Sequence, residues 1–381
     1  MQHHNTVFRD ILKLVPWDRF EEIVDDHGAD AGVRRLSTKG QFVALLYGQL
    51  SGSSSLREIV TGLSSHAARL YHLGAGPVRR STFSDANAQR PCEVFTELLA
   101  VMMKQAHRGL RRKLAETVNL IDSTSVRLNQ YHAGWAHFSA GVCGAKIHVI
   151  HDADADCPVY AAVSTANVND ITVAQQMPIE PGATYVFDLG YYDYAWWAAL
   201  DAAGCRIVTR FKSNTPLERV EELPVAKGGN ILSDRIGFLP ARQARNRRNP
   251  MQDAVREVRV TIDTGKVLRI LSNDLDASAE EIADLYRRRW AIELFFRWVK
   301  QTLKITRFVG NSENAVRIQV AVALIAFLLL RLAQASQKVI PSPIAFARLV
   351  RATLMHRRSI NNLLEPPPTF QDSRQMNLAL C

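Results

Sequence analysis

At residue 117 the hydrophobic period of this chain changes from that of a helix to that of a strand, and the change limits the folds open to it. Before that point apolar residues recur at helical spacing: Val7, Phe8, Ile11, Leu12, Leu14 and Val15, then, after a break at Pro16 and Asp18, Phe20, Ile23 and Val24. Gly28 ends this acidic unit. Ser37 or Thr38 can cap a helix over 41–50, the loop 51–55 leads into a helix over 56–63, and a long helix runs from Pro91 to Arg108. That helix closes in the cluster Arg108, Arg111, Arg112 and Lys113. After residue 117 the runs Thr117–Val126, Val142–Ile150 and Val159–Ser164 are β-branched, apolar and of strand length. A helix near 171–177, a strand 184–188, a helix Tyr194–Ala203 and a strand Arg206–Phe211 follow. Three successive strands followed by strand and helix in alternation predict an α/β fold, a mixed sheet covered by helices, behind an all-helical N-terminal domain.

Short strands are expected again at 230–239, 254–264 and 266–272, separated by turn residues and by Arg242, Arg245, Arg247 and Arg248; residues 215–275 read as a β-rich insertion. From Ser278 the pattern is helical through Ile305, then over 313–337 and 343–357, and the tail that starts with Pro366, Pro367 and Pro368 is expected to be poorly ordered. The 381 residues therefore divide into a helical unit 1–115, a core 116–214, the insertion 215–275, a returning core helix 276–310 and a C-terminal helical region with its tail, 311–381. The longest apolar run, Val320–Leu330, is 11 residues between Arg317 and Arg331. A bilayer needs about 20, so the run reads as a buried helix, and no membrane partner is expected. The N-terminus lacks a charged segment followed by an apolar one, and the five cysteines are odd in number and form no C-x-x-C. A reduced, cytoplasmic protein is the expectation, with Cys143 and Cys157 as small buried hydrophobes.

The net charge of +10 is unevenly placed. Residues 1–115 carry 16 basic and 11 acidic groups, residues 116–310 carry 23 of each, and residues 311–381 carry 8 and 3. Within the first segment the excess lies entirely after residue 30. Clustered positive charge favours a polyanion. The helix pair over 38–63 has the shape of a helix-turn-helix, and the same pair would fit a small bundle with a solvated basic face equally well.

Two aspartates sit on apolar strands, Asp122 and Asp188. A carboxylate there is costly unless it is paired, hydrogen-bonded or bound to a cation, although a strand-end aspartate often caps the next helix. A stronger signal is the run Tyr286-Arg-Arg-Arg289-Trp-Ala-Ile-Glu293, continuing to Lys300. At about 100° per residue, Arg289, Glu293 and Lys300 fall about 300°, 340° and 320° from Tyr286, within one arc. The adjoining arc carries Leu285, Ile292, Phe296, Val299 and Leu303 and should pack on the sheet. The bland alternative is a solvated i,i+4 pair of Arg289 with Glu293. Trp290, Phe295 and Trp298 leave little solvated face for it. Three carboxylates from two strands and a helix make an oxygen-rich site that suits Mg²⁺ or Mn²⁺, and two ions about 4 Å apart suit phosphoryl transfer.

The Tyr286, Arg289, Glu293 and Lys300 spacing resembles the Y-R-E-K motif of bacterial insertion-sequence transposases of the DDE class. Leu120-Ile-Asp122-Ser-Thr and Val186-Phe-Asp188-Leu-Gly190-Tyr resemble that family's two aspartate motifs. The resemblance covers about residues 115–335, and residues 5–90 resemble the helical domain that precedes the core in part of the family. It implies an RNase H-like core with a β-rich insertion before the glutamate helix, two metal ions on Asp122, Asp188 and Glu293, and phosphate contacts from Tyr286, Arg289 and Lys300. More weakly, it places Lys146, Arg210 and Lys212 along the DNA path. The implied activity is cleavage at the terminal inverted repeats and transfer of a 3′-hydroxyl into target DNA, by a homodimer on double-stranded DNA at the nucleoid. The rivals are an RNase H-like nuclease without strand transfer and a non-catalytic DNA-binding regulator. Outside the motif, His148-x-x-His151-Asp152 is not expected to share a metal, because i and i+3 on a strand face opposite ways. Trp290 is expected to pack in the core more readily than to stack on an unpaired base.

Overall fold

The computed structural model describes residues 5–111, 116–139, 142–226, 228–243, 247–303, 305, 307–337 and 339–364. Arg112, Lys113, Arg245 and the proline tail lie outside the described residues. The N-terminal third is helical, as its periodicity predicts: α1 (Val7–Leu12), α2 (Trp17–Asp26), α3 (Thr38–Ser51), α4 (Leu56–Ser64), α5 (Ala67–Leu70), α6 (Arg80–Gln89) and α7 (Cys92–Leu110). Ser37 caps α3 by accepting from the N–H of Gly40, and Ser55 caps α4 by accepting from that of Glu58. Helix α6 falls in a segment that the periodicity does not mark. It is weakly amphipathic, and only Phe83, Ala86 and Asn87 are buried.

The sheet begins with β1 (Val118–Leu128), β2 (His137–Ser139), β3 (Val142–Asp152) and β4 (Cys157–Thr165), with α8 (Ala133–Ala136) before β2. Then come α9 (Asp170–Ala174), β5 (Thr184–Phe187), α10 (Tyr194–Ala202) and β6 (Arg206–Arg210). The region 215–275 adds β7 (Glu218–Leu223), β8 (Ile231–Phe238), the two-residue pair β9 (Arg242–Gln243) and β10 (Arg247–Arg248), β11 (Val255–Thr261) and β12 (Val267–Ser272). One ten-stranded sheet runs β2-β3-β1-β5-β6-β12-β11-β8-β7, with β4 on β3. β1, β5 and β6 are parallel, while β3 is antiparallel to both β1 and β4. Because β12 pairs antiparallel with β6, the insertion extends the same sheet.

Two apolar clusters form on the sheet. Leu120, Val126 and Val149 join the one that contains Phe295 and Phe296, whereas Ile121 and Ile150 join the one that contains Tyr191 and Trp197. That assignment follows from the two-residue period of a strand and fixes which way each polar neighbour points. The chain returns to helix in α11 (Ala279–Arg288), α12 (Trp290–Thr302), α13 (Glu313–Ala335) and α14 (Pro343–Thr353).

Helix α13 is the axis of the molecule. It runs 23 residues, twice the length of the apolar run that marks it in the sequence, and by length and composition alone it could cross a membrane. Most of it is buried inside the protein, against α7, α3, α6, α14 and α12. From Ile318 to Leu330 every side chain is buried. Gln319 satisfies its polar groups locally, donating to the Arg307 carbonyl and accepting from the N–H of Val309. The C-terminal segment is stitched in as well: Val7 and Phe8 of α1 donate to the carbonyls of His356 and Leu354 just past α14, and Arg351 of α14 donates to those of Leu50 in α3 and Thr302 in α12. Leu328 is fully buried, so Leu328→Ala should lower stability by about 3 kcal/mol, read as a shift of the urea midpoint with an unchanged slope. A loss below about 1 kcal/mol would mean the helix is not packed as described.

Candidate active site

Asp122 lies in the middle of β1 on the face toward α12, and its Oδ1 accepts from the N–H of Ser123 at 2.8 Å. Asp188 follows β5, the parallel neighbour of β1, and its Oδ1 accepts from the N–H of Gly190 at 2.8 Å, capping a single 3₁₀ turn. The capping role that a strand-end aspartate often has is therefore fulfilled by Asp188 while its carboxylate stays beside Asp122. The backbone at Gly190 approaches closely: a methyl group in its place would lie 3.0 Å from Asp188 Oδ1.

The third group arrives on a helix that is not continuous. α11 and α12 are separated at Arg289, whose backbone stays helical (φ −53°, ψ −27°) while the hydrogen bonds around it shorten in register: Arg289 N donates to Tyr286, and Ile292 N to Arg289. The tightened turn aims the guanidinium at the strands. Its Nη1 donates to Asp122 Oδ2 at 3.4 Å and its Nη2 to Glu293 Oε1 at 2.5 Å, and it lies 5.7 Å from the Tyr286 ring. Arg289 thus bridges a strand carboxylate and a helix carboxylate. The i,i+4 pair exists, but it is partly buried and one member also faces Asp122, so it is not a solvated surface pair.

Electrostatics tie the carboxylates together. Burial pushes the Asp122 carboxyl up to about 6, Asp188 and Glu293 add to the rise, and the Ser123 N–H and Arg289 only partly oppose it. Three carboxylates meet the Arg289 guanidinium here, and that count leaves the pocket short of positive charge. Among the described residues no three Asp, Glu, His or Cys groups close into a cage that could hold an ion, and the Arg289 guanidinium occupies the gap between Asp122 and Glu293. The donors available are oxygens only, which suits a hard divalent cation.

The other expected residues are distributed unevenly. Tyr286 is buried against Arg289, its phenol pushed up by burial, and it lies within the fields of Arg210 and Asp188. Arg210, at the end of β6, belongs to this edge of the site. Lys212 stacks its ammonium 4.1 Å from the Tyr192 ring. Lys300 is half-buried further along α12, makes no hydrogen bond or ion pair among the described residues, and is pushed down by burial. Lys146 is elsewhere, donating to Asp170 Oδ1 at 3.2 Å and to the Val168 carbonyl at 2.9 Å. His148 and His151 face opposite sides of the sheet, one bonded to Ser164 and the other against Phe295, and both are kept neutral by burial. The expectation that Trp290 packs in the core is corrected: it is 49% exposed, under Arg297, because the turn at Arg289 rotates it off the apolar face. Asp170 was not singled out in the sequence, since an aspartate before a short helix reads as an ordinary cap.

The Transposase DDE domain model matches residues 113–329, and a domain of unknown function (DUF4372) matches residues 3–76. The chain is 39% identical over 294 residues to y4zB of Sinorhizobium fredii, named as a transposase, covering 77% of this chain and 82% of that one. It is 28% identical over 303 residues to a Geobacillus stearothermophilus protein named as the transposase of insertion sequence element IS5377, covering 76% and 79%. A structure of the piggyBac transposase synaptic complex with hairpin DNA aligns with 12% identity and a TM-score of 0.47, covering 94% of this chain and 82% of that one. The chain belongs to the DDE-domain transposases of bacterial insertion sequences, enzymes that act on DNA. Membership in that family carries a dependence on divalent metal.

The raised Asp122 carboxyl has a measurable consequence. A carboxyl whose folded value exceeds its unfolded value destabilises the fold once it ionises, so the penalty is present above pH 6 and vanishes as pH falls toward 4. In metal-free buffer, Asp122→Asn should be more stable than the parent at pH 7.5 by about 1–3 kcal/mol, and the difference should close by pH 4. Equal thermal unfolding of the two at pH 7.5 would contradict the described environment.

Proposed function

We propose that this transposase cuts phosphodiester bonds at the terminal inverted repeats of its element and joins the exposed 3′-hydroxyl to target DNA, with Asp122, Asp188 and Glu293 as the metal-binding carboxylates. The observation that carries the reading is the meeting of Asp122, Arg289 and Glu293 just past the point where the parallel pairing of β1 with β5 ends, with Asp188 alongside. The strand order β4-β3-β1-β5-β6, with β3 antiparallel to its neighbours, supports an RNase H-like core that presents the first aspartate on its central strand. The Tyr286, Arg289, Glu293, Lys300 spacing supports placement in the Y-R-E-K subgroup.

The three carboxylates would hold Mg²⁺ or Mn²⁺, as two ions, and the bound metal supplies activation of the attacking oxygen and stabilisation of the leaving one. The chain's own residues do the rest. Glu293 and Asp122 hold Arg289 in the gap between strand and helix, where its guanidinium can meet a phosphate oxygen once DNA enters. Tyr286 lies against the Arg289 side chain with Arg210 close enough to act on its phenol, and Lys300 and Lys212 are the further cations assigned to the DNA path. Two ends must be brought together for joining, so the protein acts as a homodimer on double-stranded DNA. The basic flanks contribute salt-sensitive phosphate contacts, and the protein works at the nucleoid in the cytoplasm.

The test uses duplexes carrying the element's own ends, Mg²⁺ and pre-nicked as well as intact substrates. Intact ends should be nicked and pre-nicked ends joined to target DNA. Asp122→Ala, Asp188→Ala and Glu293→Ala should each lower the rate by on the order of 10³-fold while the circular-dichroism spectrum is unchanged. Full activity in those variants would overturn the assignment, and cleavage without joining would make the protein a nuclease.

A further inference from the structure

We propose that Asp170 is a positioning residue for the transposase site and that Lys146 is its internal counter-ion, the pair acting from the back of the sheet through Ser123. The inference rests on the assignment of Asp122 and Asp188 made above.

Strand alternation places the groups. Asp122 shares the face of Leu120 and Val126, toward α12, so Ser123 shares the face of Ile121 and points the other way. The β1–β3 register sets His148 opposite Ser123 and Lys146 opposite Ser125, on that same back face. Asp170, at the start of α9, gathers them. Its Oδ1 accepts from Ser123 Oγ at 2.8 Å and from Lys146 Nζ at 3.2 Å, with His148 Nδ1 at 3.7 Å. Its Oδ2 lies 3.5 Å from where a methyl group on Gly190 would sit, and Asp188 Oδ1 lies 3.0 Å from the same point. The carboxylates of Asp170 and Asp188 therefore share the space above one glycine.

Tyr191 marks the same spot from below. Its hydroxyl is buried, lies within reach of Ser123, and sits in the combined fields of Asp122, Asp170 and Asp188. A buried hydroxyl that faces Ser123 and three carboxylates belongs to the same constellation as Asp170.

The chemistry follows from charge and reach. Ser123 donates its backbone N–H to Asp122 and its hydroxyl to Asp170, so Asp170 fixes the residue that orients the Asp122 carboxylate. Another unpaired carboxylate here would raise its neighbours further. Lys146 prevents this by neutralising Asp170. With two acceptors already bound, on the face of the sheet away from α12, Lys146 is an internal group and not a phosphate contact. Such supporting carboxylates affect metal affinity and rate without touching the ion.

The experiment compares full-length Asp170→Asn, Ser123→Ala, their double variant, Lys146→Met and Asp122→Asn. Each is measured for Mn²⁺ affinity by electron paramagnetic resonance, DNA-end affinity across a salt series, rate of end cleavage and melting temperature. Asp170→Asn should weaken Mn²⁺ binding and slow cleavage by about 10–100-fold, with end affinity unchanged within about twofold. Ser123→Ala should do the same in smaller measure, and the double variant should be no worse than Asp170→Asn, because both act through one contact. Lys146→Met should leave the salt dependence of DNA binding unaltered. Additive effects in the double variant, or unaltered Mn²⁺ affinity in Asp170→Asn and Ser123→Ala alike, would overturn the proposal. A salt slope reduced by about one in Lys146→Met would return that residue to the DNA path and overturn its part. If Asp170→Asn does not fold, Ser123→Ala alone decides by the same Mn²⁺ measurement. Retained cleavage in Asp122→Asn would instead remove the active-site assignment beneath the proposal, a failure separable from the others.

Discussion

A helix that is apolar on every side cannot be a surface element, and α13 forces the rest of the architecture to close around it. An ordinary amphipathic helix needs one neighbour, whereas this one must be surrounded. Helices from both ends of the chain meet that need: α3, α6 and α7 from the N-terminal third and α14 from the last segment pack on it, and α12 joins it to the sheet. Phe295 and Trp298 both place their rings edge-on to Phe327, 4.9 Å between centroids, so the helix that carries Glu293 is seated on the same core. The position of the third carboxylate thus depends on a packing surface far from any reacting atom.

The wrapping also redefines the charge distribution. The two basic flanks are distant in sequence but form one helical body, and part of their excess serves that body internally. Arg90 is buried against Gln41, Asp30 and the Leu36 carbonyl, Arg69 donates to the Met355 carbonyl, and Arg331 pairs with Asp156. Within the helix pair that has a helix-turn-helix shape, α3 is buried almost throughout, and α4 presents Arg57, Thr61 and Ser64 to solvent. The close approach of these two helices needs a glycine, since a methyl group at Gly48 would strike Ile59 at 2.6 Å. A basic composition marks where cations are, and packing decides which of them can reach a polyanion.

At the site, acidic groups on opposite faces of one strand are balanced by different cations. Arg289 meets Asp122 and Glu293 on the α12 face, and Lys146 meets Asp170 on the other. On the front the carboxylates of Asp122, Asp188 and Glu293 outnumber the Arg289 guanidinium, a deficit that adds to the effect of burial on the Asp122 carboxyl. An oxygen-lined pocket with that deficit is suited to a divalent ion, while the back is already neutral.

Much of this was legible in the residues themselves. The period change at 117, the strands carrying Asp122 and Asp188, and the grouping of Tyr286, Arg289 and Glu293 follow from local spacing, which repeats at 2.0 or about 3.6 residues whatever surrounds it. The same local rule set His148 and His151 on opposite faces. Asp170, the break at Arg289 and the exposure of Trp290 were not legible, because each depends on a contact between segments far apart in the chain. Sequence by itself determined which elements form and which side chains share a face, because backbone sterics and side-chain period act within a few residues. Tertiary structure alone decided which cation each carboxylate meets and which arginines are buried, because charges interact through space and only the packed sheet and α13 bring those segments together.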